Sequence, residues 1–134
     1  MEINWGGGNR KMGEEILVVD DQPGIRLLLT DILTDAGYNT TTASTGKEAL
    51  DKLKEKRFSL ILLDYKLPII DGVEVLKKIE KQNLNVPAIV MSGLAEKIED
   101  ELKGYPLVKD LLAKPFNIQE IPEMIKGIIE EFKY

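Results

Sequence analysis

The chain has neither cysteine nor histidine among its 134 residues. Without cysteine it can form no disulfide, thiolate metal site or thiol nucleophile, and without histidine it lacks the commonest general base and transition-metal ligand. Its chemistry must come from carboxylates, hydroxyls, lysine and backbone. Long apolar runs are missing too: none approaches the roughly 20 residues that cross a bilayer. The opening Met1-Glu2-Ile3-Asn4-Trp5-Gly6-Gly7-Gly8 has neither a basic nor an apolar leader region, so the expectation is a cytoplasmic protein. Positive charge is the scarcer sign, 18 Lys and Arg against 23 Asp and Glu, for a net charge of -5. Such a surface repels a phosphate backbone, which argues against nucleic acid as a direct partner.

What remains is an apolar fraction of 43% in 15.1 kDa, enough for one domain with one buried core. Residues 1–13 carry a Gly triplet without periodicity and read as a flexible extension or tag, leaving 14–134 as the folding unit. Within it, Leu60-Ile61-Leu62-Leu63 is apolar enough to be buried on both faces, yet it ends on Asp64. A similar run, Glu15 to Val19, ends on Asp20-Asp21, and a third, Ala88 to Met91, ends on Ser92-Gly93. Tyr38 to Ala43 is Thr-rich and suits a more exposed edge strand, and Leu107 to Ala113 supplies a fifth strand ending at Lys114-Pro115-Phe116.

Between these runs the apolar spacing turns helical. Ile25, Leu28, Leu29, Ile32 and Leu33 form a stripe closed by Ala36-Gly37. Ala49, Leu50 and Leu53 mark a second helix; Val73, Val75, Leu76 and Ile79 a third; and a short polar helix spans about Ala95 to Lys103. Ile118, Ile121, Met124, Ile125, Ile128, Ile129 and Phe132 mark the last, with Pro122 tolerable only in its first turn. Strands alternating with helices predict right-handed crossovers and a parallel sheet covered on both faces: an α/β three-layer sandwich.

Parallel strands put Asp20, Asp21, Asp64, Ser92 and Lys114 on one sheet edge, where ligands gather in open α/β sheets. Three carboxylates crowded there repel one another and raise one another's pKa, a cost that a hard divalent cation offsets; oxygen ligands suit Mg²⁺. The spacing predicts a metal site of Asp21, Asp64 and a loop carbonyl. With an ammonium and a hydroxyl beside it, Asp64 reads as a carboxylate nucleophile that forms an aspartyl phosphate.

The set Val18-Val19-Asp20-Asp21, Leu62-Leu63-Asp64-Tyr65-Lys66-Leu67-Pro68, Asp71-Gly72, Met91-Ser92-Gly93 and Ala113-Lys114-Pro115-Phe116 resembles the receiver domain of two-component response regulators. Asp20 to Leu29 further resembles the single-domain receiver of the sporulation phosphorelay. The resemblance implies a flavodoxin-like (βα)5 sandwich with strand order 2-1-3-4-5. It implies a phosphoryl group accepted by Asp64 from a phosphohistidine on a sensor histidine kinase or histidine phosphotransferase. Asp21, Asp64 and the carbonyl of Lys66 would ligate Mg²⁺, with Asp20 holding a metal-bound water and Lys114 and Ser92 contacting the phosphoryl oxygens. Such a chain is no enzyme on a separate substrate and catalyses only its own phosphorylation and dephosphorylation, as a monomer or weak dimer. The aromatic residue that this family often carries three positions before the lysine is here Leu111. A phosphotransfer partner is expected on Gly24, Ile25 and Leu28.

Two other classes compete with this reading. A pseudo-receiver that interacts without phosphorylation has the intact acidic set against it. A flavodoxin-type cofactor binder would need a phosphate-cradling loop after the first strand, where Asp20-Asp21-Gln22-Pro23 stands instead, and an aspartate phosphatase would need a second acid where Lys66 stands. Taken singly, Asp20-Asp21 is an ordinary helix cap, Ser92-Gly93 a turn and Lys114-Pro115 a surface lysine before a helix. Their joint occurrence in order along one edge carries the receiver reading.

Overall fold

Period-two burial in the strands sorts the core into two layers. A computed structural model describes residues 14–133, so the expected extension at 1–13 lies outside the described residues. Five strands, β1 (Glu15–Val19), β2 (Asn39–Ala43), β3 (Leu60–Asp64), β4 (Ala88–Ser92) and β5 (Val108–Ala113), pair in parallel in the order β2-β1-β3-β4-β5. Leu17, Val19, Ile61, Leu63 and Val90 face one side, where they pack against α2 (Gly46–Glu55), α3 (Gly72–Lys81) and α4 (Ala95–Leu102). Ile16, Val18, Leu60, Leu62, Ile89 and Met91 face the other, against α1 (Pro23–Asp35) and α5 (Ile121–Lys133). This is the expected three-layer sandwich.

The helix starts follow from local chemistry. Pro23 occupies the first position of α1, where its missing N–H costs no hydrogen bond, and Gly37 ends that helix with φ 96, a conformation that suits glycine. Thr45 accepts from the Glu48 N–H at 3.0 Å to start α2, and Asp71 accepts from the Glu74 N–H at 3.1 Å to start α3. The expected last helix divides: Ile118–Glu120 is a separate 3-10 turn, capped by the Asn117 side chain, and α5 begins at Ile121. Pro122 is then the second residue of α5, within its first turn as expected. Ile118, counted above on the apolar face of the last helix, is exposed instead, because the turn precedes the point where the helix meets the sheet.

Candidate functional site

The parallel register brings the predicted edge residues together. Val19 stands beside Leu63, Asp64 beside Met91 and Ser92 beside Ala113, so the chain segments that follow β1, β3, β4 and β5 all emerge at one edge. Asp20, Asp21 and Asp64 each turn one carboxylate oxygen to within 4.8 Å of the other two. Asp20 is fully buried and Asp64 is 5% exposed, while Asp21 faces solvent. The Lys114 ammonium reaches back from the end of β5 to both buried carboxylates, donating to Asp20 Oδ2 at 2.8 Å and to Asp64 Oδ2 at 3.3 Å. Its own backbone N–H donates to the Ser92 carbonyl at 3.0 Å, which fixes where that side chain starts.

The other oxygens at the site are unequally engaged. Asp20 Oδ1 accepts from the Gln22 N–H at 2.9 Å, and the Arg26 guanidinium donates to the Asp20 carbonyl at 2.7 Å. Asp64 Oδ1 accepts a long contact, 3.4 Å, from the Lys66 N–H, which leaves it the least committed carboxylate oxygen of the buried pair. Ser92 Oγ accepts from the Leu94 N–H at 2.8 Å, so its own proton remains available as a donor.

The electrostatics match the crowding. Burial first, and the neighbouring Asp20 charge second, hold the Asp64 carboxyl above the ordinary carboxylate range, with Lys114 only partly opposing them. Burial alone would lower the Lys114 ammonium, but its hydrogen bond to Asp20 and the charges of Asp64 and Asp20 outweigh that and raise it. Lys114 therefore stays cationic at neutral pH. Three clustered carboxylates answered by one fixed cation make an oxygen-rich, electron-rich pocket of the kind that hard divalent cations fill.

The loop after Asp64 is clamped. Tyr65 donates its N–H to the Met91 carbonyl and accepts from the Gly72 N–H, each at 2.9 Å. A Cβ on Gly72 would lie 2.6 Å from the Asp64 carbonyl oxygen, so only glycine lets α3 start this close to the acceptor strand. The Tyr65 hydroxyl donates to Glu101 of α4 at 2.6 Å, an anionic acceptor that pushes its pKa up to about 12.

The residue model of the family described as "Response regulator receiver domain" matches residues 16–126. The chain belongs to this family. The receiver domain is 40% identical to sporulation initiation phosphotransferase F of Bacillus subtilis (strain 168) over 117 residues, covering 86% of this chain and 93% of that one. It is 39% identical to the alkaline phosphatase synthesis transcriptional regulatory protein PhoP of the same organism, but spans 49% of that protein's length. Among solved structures, response regulator TrrA of Thermotoga maritima, in complex with Mg(2+)-BeF, superposes with a TM-score of 0.77 at 34% identity, covering 86% of this chain and 98% of that one. Receiver domains are phosphoacceptor modules of two-component signalling, and this chain's role lies in that class.

Asp20, Asp21, Asp64, Ser92 and Lys114 converge on this one edge, and Lys66 follows with its N–H on Asp64. Of the expected partner contacts, Gly24 is exposed and Ile25 and Leu28 are half-buried, Ile25 against the core; Leu27 beside them stands 65% exposed. Arg26 and Tyr65 escaped the sequence reading. Arg26 acts on a backbone carbonyl six residues back, which no side-chain motif announces, and the Tyr65 hydroxyl finds Glu101 only through the packing of α4.

Proposed function

We propose that the receiver domain, residues 14–134, is a Mg²⁺-dependent phosphoacceptor that takes a phosphoryl group from a phosphohistidine onto Asp64 and passes the signal on through protein contacts in the cytoplasm. The observation that carries this reading is Asp64 itself, nearly buried at the end of the central strand with Asp20 and Asp21 within metal-sharing distance and Lys114 on its Oδ2. The carboxylate-only donor set fits Mg²⁺; Asp21, Asp64 and the Lys66 carbonyl would ligate it, with Asp20 holding a metal-bound water. When bound, the ion neutralises charge on the transferring phosphoryl oxygens. TrrA, the relative solved with Mg(2+)-BeF, supports the assignment.

The chain's own groups supply the rest. The ionised Asp64 oxygen attacks phosphorus while the bond from phosphorus to the donor's imidazole nitrogen breaks and its electron pair stays on that nitrogen. Lys114 shifts its ammonium from the carboxylate to the phosphoryl oxygens, and the Ser92 hydroxyl proton donates to a second one. Asp20 keeps Lys114 in place during the exchange through the 2.8 Å contact. Relay from a histidine kinase or phosphotransferase follows the same chemistry, with Gly24, Ile25 and Leu28 on the docking side and the exposed Leu27 beside them; Leu27→Glu and Leu28→Glu should each slow transfer from such a protein.

Incubation with Mg²⁺ and acetyl phosphate should add the mass of one phosphoryl group to the wild type and none to Asp64→Asn, and a chelator should prevent the addition. A wild type that stays unmodified with Mg²⁺ present would sink this function.

A further inference from the structure

In the site loop, the side chain of Ile69 is at odds with the backbone conformation that the fold imposes on it. Its φ is 67, and the Ile70 N–H donates to the Pro68 carbonyl at 2.7 Å, which closes a three-residue γ-turn around it. A β-branched side chain in this conformation is strained, and such strain persists only where the surroundings impose it. Here they do: Leu67 is buried on one side of the turn, and on the other Ile70 packs on the core and lies against the first residue of α2, where a Cβ on Gly46 would come within 2.8 Å of the Ile70 carbonyl. The turn is held from both ends and its apex is forced outward.

Glycine would satisfy that backbone with the least strain, and asparagine tolerates a positive φ better than a β-branched residue does. The chain instead places an isoleucine there and exposes it completely, at 102%. The other large apolar side chains that the described surface exposes, Leu27, Leu94 and Ile118, stand in the segments that follow β1, β4 and β5. Together with Ile69 they rim the edge at whose floor Asp64 lies. Any protein that brings a phosphoryl group to Asp64 must press on this rim, because the carboxylate is 5% exposed and cannot come out to meet it.

We propose that Ile69 is a specificity-determining anchor for the protein phosphoryl donor, inserted into an apolar depression beside the donor's phosphohistidine. The inference rests on the phosphoacceptor reading of the same site. A small donor such as acetyl phosphate never touches Ile69, whereas a protein donor must cover it. Strain tolerated in the free receiver is then offset by burial in the complex, the arrangement of a hot-spot residue.

The test compares wild type, Ile69→Gly and Ile69→Asn with two kinds of donor. One is acetyl phosphate; the other is whichever phosphorylated histidine kinase or phosphotransfer domain of the source organism labels the wild type fastest. Both variants should label with acetyl phosphate within about twofold of wild type, melt no lower than wild type, and lose about tenfold or more in kcat/KM with the protein donor. Transfer from the protein donor within about twofold of wild type in both variants would overturn the proposal, as would a panel in which no protein labels the wild type faster than acetyl phosphate does. A wild type that acetyl phosphate fails to label would instead overturn the phosphoacceptor reading, so the two failures are distinguishable.

Discussion

Strands β3 and β5 each deliver one half of the central ion pair, yet they live in opposite surroundings. Every residue of β3 is buried, whereas only Leu112 of the six in β5 is, and the pairing of β5 with β4 contains a register irregularity. Under the proposed function the difference separates two tasks. Asp64 has to stay fixed, since phosphoryl transfer depends on an attacking oxygen held in line. Lys114 has to follow charge as it moves from a carboxylate to a phosphoryl group, and a long side chain at the end of an edge strand can do that.

Removing the cation should be the largest blow to this division. Lys114→Ala is expected to slow acetyl phosphate labelling on the order of 100-fold, the usual loss for one preorganised charge donor, read by mass spectrometry over time. A rate near wild type would mean that the edge strand contributes nothing to transfer. In stability the weight should reverse. Leu62→Ala, in the fully buried strand, should cost about 3 kcal/mol in urea unfolding, and the half-buried Leu111→Ala roughly 1 kcal/mol. Equal costs would erase the contrast.

The pH dependence sharpens the picture of Asp64 next. Its folded pKa lies above the unfolded value near 3.8, so burying it costs nothing while it is protonated, and the stability present below that value is lost as pH rises through the folded pKa. With a chelator present, Asp64→Asn should therefore melt higher than wild type at neutral pH, and the gap should close on acidification. A gap that does not change with pH would show that burial of the charge carries no cost. The smallest effect belongs to the exposed bond joining the loop after β3 to α4: Tyr65→Phe should cost less than about 1 kcal/mol. Glu101→Gln should bring the Tyr65 titration, seen by ultraviolet absorbance, back down from about 12.

The fold was legible because its signals are local. Apolar runs ending in Asp64 and in Asp20-Asp21, a Thr-rich run for β2 and Pro and Gly at helix boundaries each specify one element, and parallel pairing does the rest. The site was legible at the level of which residues share an edge. How they pair was not: that Lys114 binds the fully buried Asp20 more closely than Asp64 depends on where β5 places its last residue, which no spacing encodes. The periodic stripe of α1 separated the exposed Leu27 from Leu28 and Leu29, but it could not tell the half-buried Leu28 from the fully buried Leu29, because that depends on how the helix is rolled against the sheet. The positive φ of Ile69 is equally invisible in sequence, since a β-branched residue rarely adopts it.

The parallel sheet also decides how the molecule can be handled. The described chain enters the fold at Glu15, the first residue of β1, on the sheet edge opposite Asp64 and roughly 16 Å away at about 3.3 Å per residue. A dye attached at the start of β1 thus sits on the far side of the sheet from the reactive rim. Immobilised by that end, the domain would present its reactive rim to a flowing partner, a favourable orientation for surface-based kinetics.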